Sequence, residues 1–168
     1  MTNNIVLSPK YAPLFNNTSR YFVITGGRGS SKSFSVAVFL LTLTYEKGHK
    51  VLFSRYTLIS AANSIIPEFI EKIDLMDVNK DFRITKDEII NLTTGSSIIF
   101  KGIRTSSGNQ TAALKSLSGV TTFVLDEAEE LTSEADFVKI DLSIREKTKP
   151  NRVILILNPK PILESISV

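Results

Sequence analysis

The stretch that most constrains this chain runs from Val23 to Ser33 and reads Val-Ile-Thr-Gly-Gly-Arg-Gly-Ser-Ser-Lys-Ser. It predicts a short apolar strand, a glycine turn, and an apolar helix opened by Lys-Ser. Such a turn points several backbone N–H groups at one spot, and the helix N-terminus adds partial positive charge there. A phosphate chain is the natural ligand, with Lys32 reaching the β- and γ-phosphates and the Ser33 hydroxyl binding Mg²⁺. The sequence therefore predicts that a nucleoside triphosphate is held by Gly26, Gly27, Arg28, Gly29, Ser30, Ser31, Lys32 and Ser33.

This loop departs from the pattern G-x-x-x-x-G-K-[ST] at one position. Ser31 stands where the pattern has its second glycine, and an additional glycine occurs at Gly29. Serine is the smallest polar replacement, and we expect Gly29 to supply the backbone freedom that the turn needs. An ordinary strand-to-helix turn rich in Gly and Ser is the alternative. The Lys-Ser pair at the helix start, with a strand in front, favours the phosphate-binding interpretation.

Composition narrows the classes of protein that need to be considered. The chain has 168 residues, 42% hydrophobic and 22% charged, which is typical of one soluble globular domain with a proper core. It has no cysteine, which excludes disulfides and cysteine metal sites and fits a reducing cytoplasm. The longest apolar run, Val36 to Leu41, is too short to span a bilayer, so no membrane partner is expected. The net charge of +3 permits a nucleic-acid partner without arguing for one.

Apolar periodicity predicts strands and helices in alternation. One helix is predicted over 33–45 with Gly48 as its C-cap, a second over 61–73 that Pro67 kinks or restarts, and a third from Ser133 to about Lys147. His49 is expected to be exposed and inert. The fold class is α/β with a largely parallel sheet, and a β-hairpin insertion turns at Thr93-Thr94-Gly95. The predicted strands are Tyr21–Thr25, Val51–Arg55, Phe82–Thr85, Glu88–Leu92, Ser96–Lys101, Thr121–Leu125 and Arg152–Leu157.

A second motif follows the buried strand that ends at Leu125. Asp126 and Glu127 come directly after it, and in a phosphate-loop enzyme the first acid holds Mg²⁺ through water while the second orients the attacking water. A solvated strand end is the alternative, because acids are common at turns. The two motifs meet only if adjacent strands bring them together. A strand between loop and acids in the sequence, with a glutamate directly after the aspartate, looks like the RecA-like, additional-strand division of P-loop ATPases, a three-layer fold.

The wider sequence resembles a known family over roughly residues 11 to 159. The loop 26–33 resembles the G-G-R-G-S-[GS]-K-S loop of tailed-phage terminase large subunits, and Val51–Arg55 resembles their second strand. The segments Leu114-Lys115-Ser116 and Thr122–Leu131 are similar to the family's approach to and exit from the acidic strand. Ile156-Leu157-Asn158-Pro159 looks like the polar strand end that follows.

The resemblance implies that residues 1–168 form a single P-loop ATPase domain of a DNA-packaging motor. In such a motor, ATP hydrolysis with Mg²⁺ drives double-stranded DNA through a portal protein into a procapsid, in the host bacterial cytoplasm. A small terminase subunit and a homo-oligomeric ring are further implied partners, with the isolated chain a possible monomer. Family members continue into a nuclease domain; this chain stops nine residues after Pro159, so none is expected, and the tail 160–168 does not continue the family pattern. The alternatives are another RecA-like motor, such as a helicase, or a nucleotide-binding module without turnover.

Four polar residues outside the two acids complete the expected site. The resemblance favours Arg28 as a contact to the γ-phosphate that stabilises developing charge, against a solvent-facing loop arginine. With Lys32 and Glu127, it makes up the expected catalytic set. Asn158 ends the last strand and either senses the γ-phosphate or is a turn residue. Arg145 either acts across a subunit boundary or is a surface arginine, and Arg55 either lines a cleft or pairs with an acid.

Overall fold

The computed structural model describes residues 5–16, 18–57, 61–104 and 118–158. Within them, strands and helices alternate as the sequence predicts. The strands are β1 (Tyr21–Thr25), β2 (Lys50–Thr57), β3 (Phe82–Ile84), β4 (Glu88–Asn91), β5 (Ser97–Arg104), β6 (Thr122–Leu125) and β7 (Arg152–Leu157). The helices are α1 (Ala12–Asn16), α2 (Lys32–Leu43), α3 (Ala61–Ser64), α4 (Ile66–Met76) and α5 (Glu134–Ser143). Short 3₁₀ turns lie at Pro9–Tyr11, Asn79–Asp81 and Ala128–Glu130.

The described strands form one seven-stranded sheet in the order β1-β7-β6-β2-β5-β4-β3. Strands β1, β7, β6, β2 and β5 run parallel, and β4 and β3 are antiparallel at one edge. The predicted mostly parallel α/β fold is confirmed. The predicted hairpin of β4 and β5 is present, and it widens the main sheet because β5 pairs with β2. The carboxyl ends of the parallel strands meet at one edge of the sheet, where ligands of open α/β folds bind.

Strand β7 lies between β1, which leads into the glycine turn, and β6, which leads into the two acids. The two motifs therefore follow strands that are not adjacent, so adjacency is not the condition for them to meet, contrary to what the sequence analysis assumed. Neighbouring strands are about 4.8 Å apart, so β1 and β6 are separated by roughly 10 Å. A polar side chain at the end of β7 is then placed between the two motifs.

Helices cover both faces of the sheet, which confirms the predicted three layers. On one face, α2 and α4 pack through residues that include Leu40 and Phe69. On the other face, α5 packs through Ile140. Successive side chains of β6 join opposite layers, with Phe123 in one core and Val124 in the other, because strand side chains alternate. Helix α2 is apolar nearly all round and almost wholly buried, so it places its first turn firmly at the end of β1.

Two predicted helix ends are wrong, and one alternative is resolved. Helix α2 ends at Leu43 with Thr44 as its C-cap, so Gly48 belongs to the turn before β2 instead. Helix α5 ends at Ser143, because Ile144 leaves the helical conformation and its side chain is fully buried in the core. Helix α4 starts with Pro67 in its first turn, where a missing amide costs nothing. Pro67 therefore starts the second half of the predicted helix.

His49 is buried, which contradicts the expectation that it is exposed. Its side chain lies before β2, with Nδ1 3.0 Å from the Thr121 hydroxyl and Nε2 3.2 Å from a Glu46 carboxylate oxygen. Burial lowers the pKa of His49, against the opposing effect of Glu46. The sequence misled here because turn residues are usually solvated, while the turn before β2 is covered by the start of β6. No helix among the described residues is long and apolar enough to cross a membrane.

Candidate functional site

The glycine turn leaves β1 at Thr25 and enters α2 at Lys32 with two residues in the left-handed region. Gly29 has φ +75° and Ser31 has φ 62°. The first supports the expectation that Gly29 supplies backbone freedom, and the second shows that the substituted position also needs it. For a non-glycine residue this conformation costs about 1–2 kcal/mol. The turn is tight as well: a Cβ on Gly26 would lie 2.8 Å from the Ser30 Oγ.

Lys32 lies at the centre of this turn and is only 6% exposed. Its ammonium donates to the carbonyl oxygens of Gly26 and Gly27, and to the Ser30 hydroxyl. It also donates to the side-chain carbonyl oxygen of Asn158, 2.8 Å away at the end of β7. A lysine held by neutral oxygens carries an uncompensated positive charge, which is available to an anion at the turn.

Tyr11 tethers the same turn, a contact that the sequence did not predict. Its ring is buried, and its hydroxyl donates to the Ser30 carbonyl oxygen at 2.6 Å. The only sequence signal was a tyrosine a few residues ahead of β1. Ser30 is thus held from both sides, by Tyr11 at its carbonyl and by Lys32 at its hydroxyl.

Asp126 is buried at the end of β6 and is paired with Arg55 from the end of β2. Nε and Nη2 of Arg55 lie 2.9 and 2.8 Å from the same carboxylate oxygen, Oδ2. The other oxygen, Oδ1, accepts from the backbone N–H of Glu127 at 3.1 Å. Of the two interpretations of Arg55, the pairing with an acid is the one observed. The pairing is possible because β2 and β6 are neighbours and end together.

Glu127 has an unusual backbone, with φ 56° and ψ 43°. It is one of three non-glycine residues with positive φ among the described residues, and such strain clusters at functional sites. Burial raises the pKa of Glu127, the nearby acids Asp126, Glu130 and Glu129 raise it further, and Arg55 lowers it. The side chain is thus a carboxylate whose proton affinity is increased by its surroundings, as a proton acceptor requires.

Asn158 connects the two motifs across the intervening strand. Its side-chain oxygen accepts from Lys32, while its backbone N–H donates to a carboxylate oxygen of Glu129 at 3.3 Å. Glu129 lies in the 3₁₀ turn that follows Asp126 and Glu127. The sequence-predicted loop and acids are therefore brought to one edge of the sheet, and Asn158 stands between them.

The remaining predicted residues are placed less tightly. Arg28 and Ser33 are exposed on the loop and on the first turn of α2, and Arg28 makes no hydrogen bond or ion pair with any described residue. Arg145 is exposed beyond the end of α5. The segments Leu114–Ser116 and 159–168 lie outside the described residues.

The oxygen atoms at this edge fit a magnesium ion bound together with a triphosphate. A hydroxyl at Ser33 and a carboxylate at Asp126 are hard oxygen ligands of the kind that Mg²⁺ takes from proteins, the rest being water and phosphate oxygens. In the described part of the chain, no three His, Asp or Glu side chains cluster as a metal cage made by the protein alone would need. The donor set therefore suits a nucleotide-bound cation.

Comparisons with known proteins identify the family. A family profile described as "Phage terminase large subunit" matches residues 18–166. The terminase large subunit of Bacillus phage SPP1 is 26% identical over 152 residues, which are 82% of this chain and 35% of that protein. This chain thus spans about a third of the relative's length.

Two solved structures have the same fold. The large terminase of a thermophilic bacteriophage aligns with TM-score 0.68 at 9% identity, over 92% of this chain and 40% of that one. A point mutant of the large terminase ATPase domain of Thermus phage P74-26 aligns with TM-score 0.57 at 17% identity, over 96% and 68%. Since the profile covers nearly all of the chain and the fold agrees, this chain belongs to the phage terminase large subunit family and has the fold of its ATPase domain.

Proposed function

We propose that this chain is the Mg²⁺-dependent ATPase domain of a phage DNA-packaging motor and that ATP hydrolysis powers the translocation of double-stranded DNA. One observation carries the proposal. The ammonium of Lys32 and the acidic turn that contains Glu129 are both bonded to Asn158, at the edge of the sheet where parallel strands end. A phosphate-binding lysine and an aspartate–glutamate pair at one edge are the parts that ATP hydrolysis needs.

In this proposal Lys32 and the loop amides bind the phosphates, and Arg28 approaches the γ-phosphate from its exposed position. The Ser33 hydroxyl would bind Mg²⁺ and Asp126 would hold it through water; when bound, the ion would neutralise charge on the phosphate oxygens. Glu127 orients the attacking water and accepts its proton, helped by its raised pKa. Asn158 senses the γ-phosphate: its side-chain oxygen accepts from the Lys32 ammonium, and its amide N–H₂ is the group that donates to a phosphate oxygen.

The partners of the motor follow from the family and belong to the same proposal. They are double-stranded DNA, a portal protein and a small terminase subunit, with assembly into a homo-oligomeric ring inside the host bacterial cytoplasm. A helicase is no longer a competing identity, because the family is that of terminases. A nucleotide-binding module without turnover remains the competing activity, and the experiment below separates the two.

The test is phosphate release by the purified chain with ATP and Mg²⁺, alongside titration with a fluorescent ATP analogue. We expect slow turnover that EDTA abolishes. Lys32→Ala should weaken nucleotide binding by at least about tenfold, because one charge-assisted contact contributes roughly 1.5–3 kcal/mol. Lys86→Ala, an exposed lysine of the β3–β4 turn, is the matched control and should leave affinity unchanged. Nucleotide binding without any phosphate release would mean that the chain is a nucleotide-binding module without turnover. Equal nucleotide affinity of Lys32→Ala and Lys86→Ala would contradict the assignment of the nucleotide site.

A further inference from the structure

Basic side chains are concentrated at the amino ends of the parallel strands, opposite the candidate nucleotide site. The turn before β2 contains Lys47, β2 begins at Lys50, and the segment between α5 and β7 adds three more. We call these five residues the basic edge: Lys47, Lys50, Arg145, Lys147 and Lys149.

The two segments form one surface. A Cβ built on Gly48 would lie 3.3 Å from Cε of Lys149, so this lysine crosses the turn that contains Lys47. The Lys50 ammonium donates to the Ser118 carbonyl oxygen at the turn before β6. The basic edge therefore runs across the starts of β2, β6 and β7, which covers about 10 Å between strand axes.

None of the five basic side chains forms a salt bridge with a carboxylate of a described residue, although Lys147 lies close enough to Glu146 to lower its pKa. The three acids at this edge have other partners. Asp141 binds Arg20, Glu46 lies against His49, and Glu146 accepts from its own turn at Lys147 and Thr148. The positive charge at this edge is thus left for an external anion.

The positive charges of the basic edge also affect a buried side chain, His49. The main cause of the low pKa of His49 is burial, and the positive charges of Lys149 and Arg152 lower it further. Arg152 adds a guanidinium whose Nε and Nη1 have no hydrogen-bond partner among the described residues. At the opposite edge five acids, Glu68, Asp126, Glu127, Glu129 and Glu130, outnumber the three basic residues of the candidate site, Arg28, Lys32 and Arg55.

We propose that the basic edge binds the phosphate backbone of double-stranded DNA without reading its sequence. Lysine is a flexible point charge, which suits a regular array of phosphates better than a single shaped ligand. Duplex DNA presents one negative charge per about 1.7 Å of its axis, so a row of this length meets several phosphates. The acids at the other edge repel DNA and leave this edge as the favoured face. The choice of DNA over another polyanion rests on the proposed packaging function.

Fluorescence anisotropy of a labelled 30-base-pair duplex with the full chain, over a series of salt concentrations, tests the proposal. The variant is Lys47→Gln/Lys147→Gln/Lys149→Gln. The matched control, Lys80→Gln/Arg83→Gln/Lys86→Gln, removes three exposed charges around β3. We expect the first to weaken binding at least about tenfold and to reduce the slope of log K against log salt by about 2–3, since each phosphate contact contributes roughly 0.9. The control should change affinity less than about twofold.

Three outcomes would overturn the proposal: equal losses in the two variants, no loss in either, or equal binding of poly-glutamate and duplex by the wild-type chain. Similar affinity for duplexes of unrelated sequence is expected, and strong sequence preference would count against backbone binding. Phosphate release is measured on the same preparations. If the chain does not hydrolyse ATP but only the basic-edge variant loses DNA binding, the packaging function is contradicted and the DNA-binding surface is supported. If the chain hydrolyses ATP but both variants lose DNA binding equally, the surface is contradicted and the packaging function is not.

Discussion

The two ends of the parallel strands differ in backbone strain and in charge. We call the side where the strands end the carboxyl edge and the side where they begin the amino edge. At the carboxyl edge, Ser31 and Glu127 hold left-handed backbone conformations, a lysine is coordinated by neutral oxygens, and acids crowd together. At the amino edge, side-chain hydrogen bonds close the turns, as between His49 and Thr121, and the five lysines and arginines of the basic edge form no salt bridge with any described residue. Strained backbone conformations persist only where the surrounding fold stabilises them, and they cluster at functional sites. The carboxyl edge is therefore the side of the sheet where we expect the chemistry.

The largest effect is expected from Glu127→Gln at the carboxyl edge. The amide keeps the size of the side chain but cannot accept a proton, so ATP binding should persist while turnover falls by about 10²–10⁴. Glu134→Gln, an exposed acid in the first turn of α5, is the control and should retain turnover. Single-turnover phosphate release and nucleotide titration measure the two quantities. Unchanged turnover in Glu127→Gln would show that Glu127 is not the proton acceptor.

Arg55→Met should lower the free energy of unfolding by about 2–4 kcal/mol, because it leaves the buried carboxylate of Asp126 without its cation. Urea unfolding at neutral pH measures this loss. The double variant Arg55→Met/Asp126→Asn should recover much of it, since neither charge then remains. Arg83→Met, an exposed arginine on β3, should be nearly neutral. A double variant no more stable than the single one would show that the ion pair is not the cause.

Ser31→Gly sharpens the contrast by removing strain at the carboxyl edge. Glycine relieves the left-handed conformation but adds freedom to the unfolded chain, so we expect a net gain of up to about 1 kcal/mol. The neighbouring Ser30→Gly is the matched control and should destabilise by about 1 kcal/mol, since Ser30 lacks positive φ and loses its contact with Lys32. Thermal unfolding compares the two. If Ser31→Gly and Ser30→Gly change the stability in the same direction, Ser31 is not strained.

The smallest effect is expected at the amino edge, from His49. Its folded-state pKa is lowered, so the unfolded chain binds the proton more readily and stability falls as the pH drops below the ordinary histidine value of about 6.5. In His49→Gln the melting temperature should vary less between pH 7.5 and 5.5 than it does in the wild type. A wild-type curve that rises as the pH falls over this range would contradict the assignment.

Local patterns in the sequence predicted most of the elements. Strand β1, strand β7 and the hairpin appear where apolar alternation and turn residues indicated, and Ser133 caps α5 by accepting from the backbone N–H of Asp136. The loop and the acids were recognisable because each is a short run whose chemistry depends on neighbours in the chain. The end of α5 was not, because Ile144 is buried against side chains of β6 and β7, such as Phe123 and Val153, which are distant in sequence or come after it.

The sequence by itself determined the class of fold, the loop around Lys32, the acids after β6 and the family, since all of these are properties of short contiguous segments. Only the tertiary structure decided that β7 separates the two motifs, that Asn158 joins them, and that Arg55 pairs with Asp126 across 71 positions of sequence. It also decided that lysines from two distant turns share one edge. The reason is physical: strand order and side-chain pairing depend on how the whole core packs, and no local pattern records it.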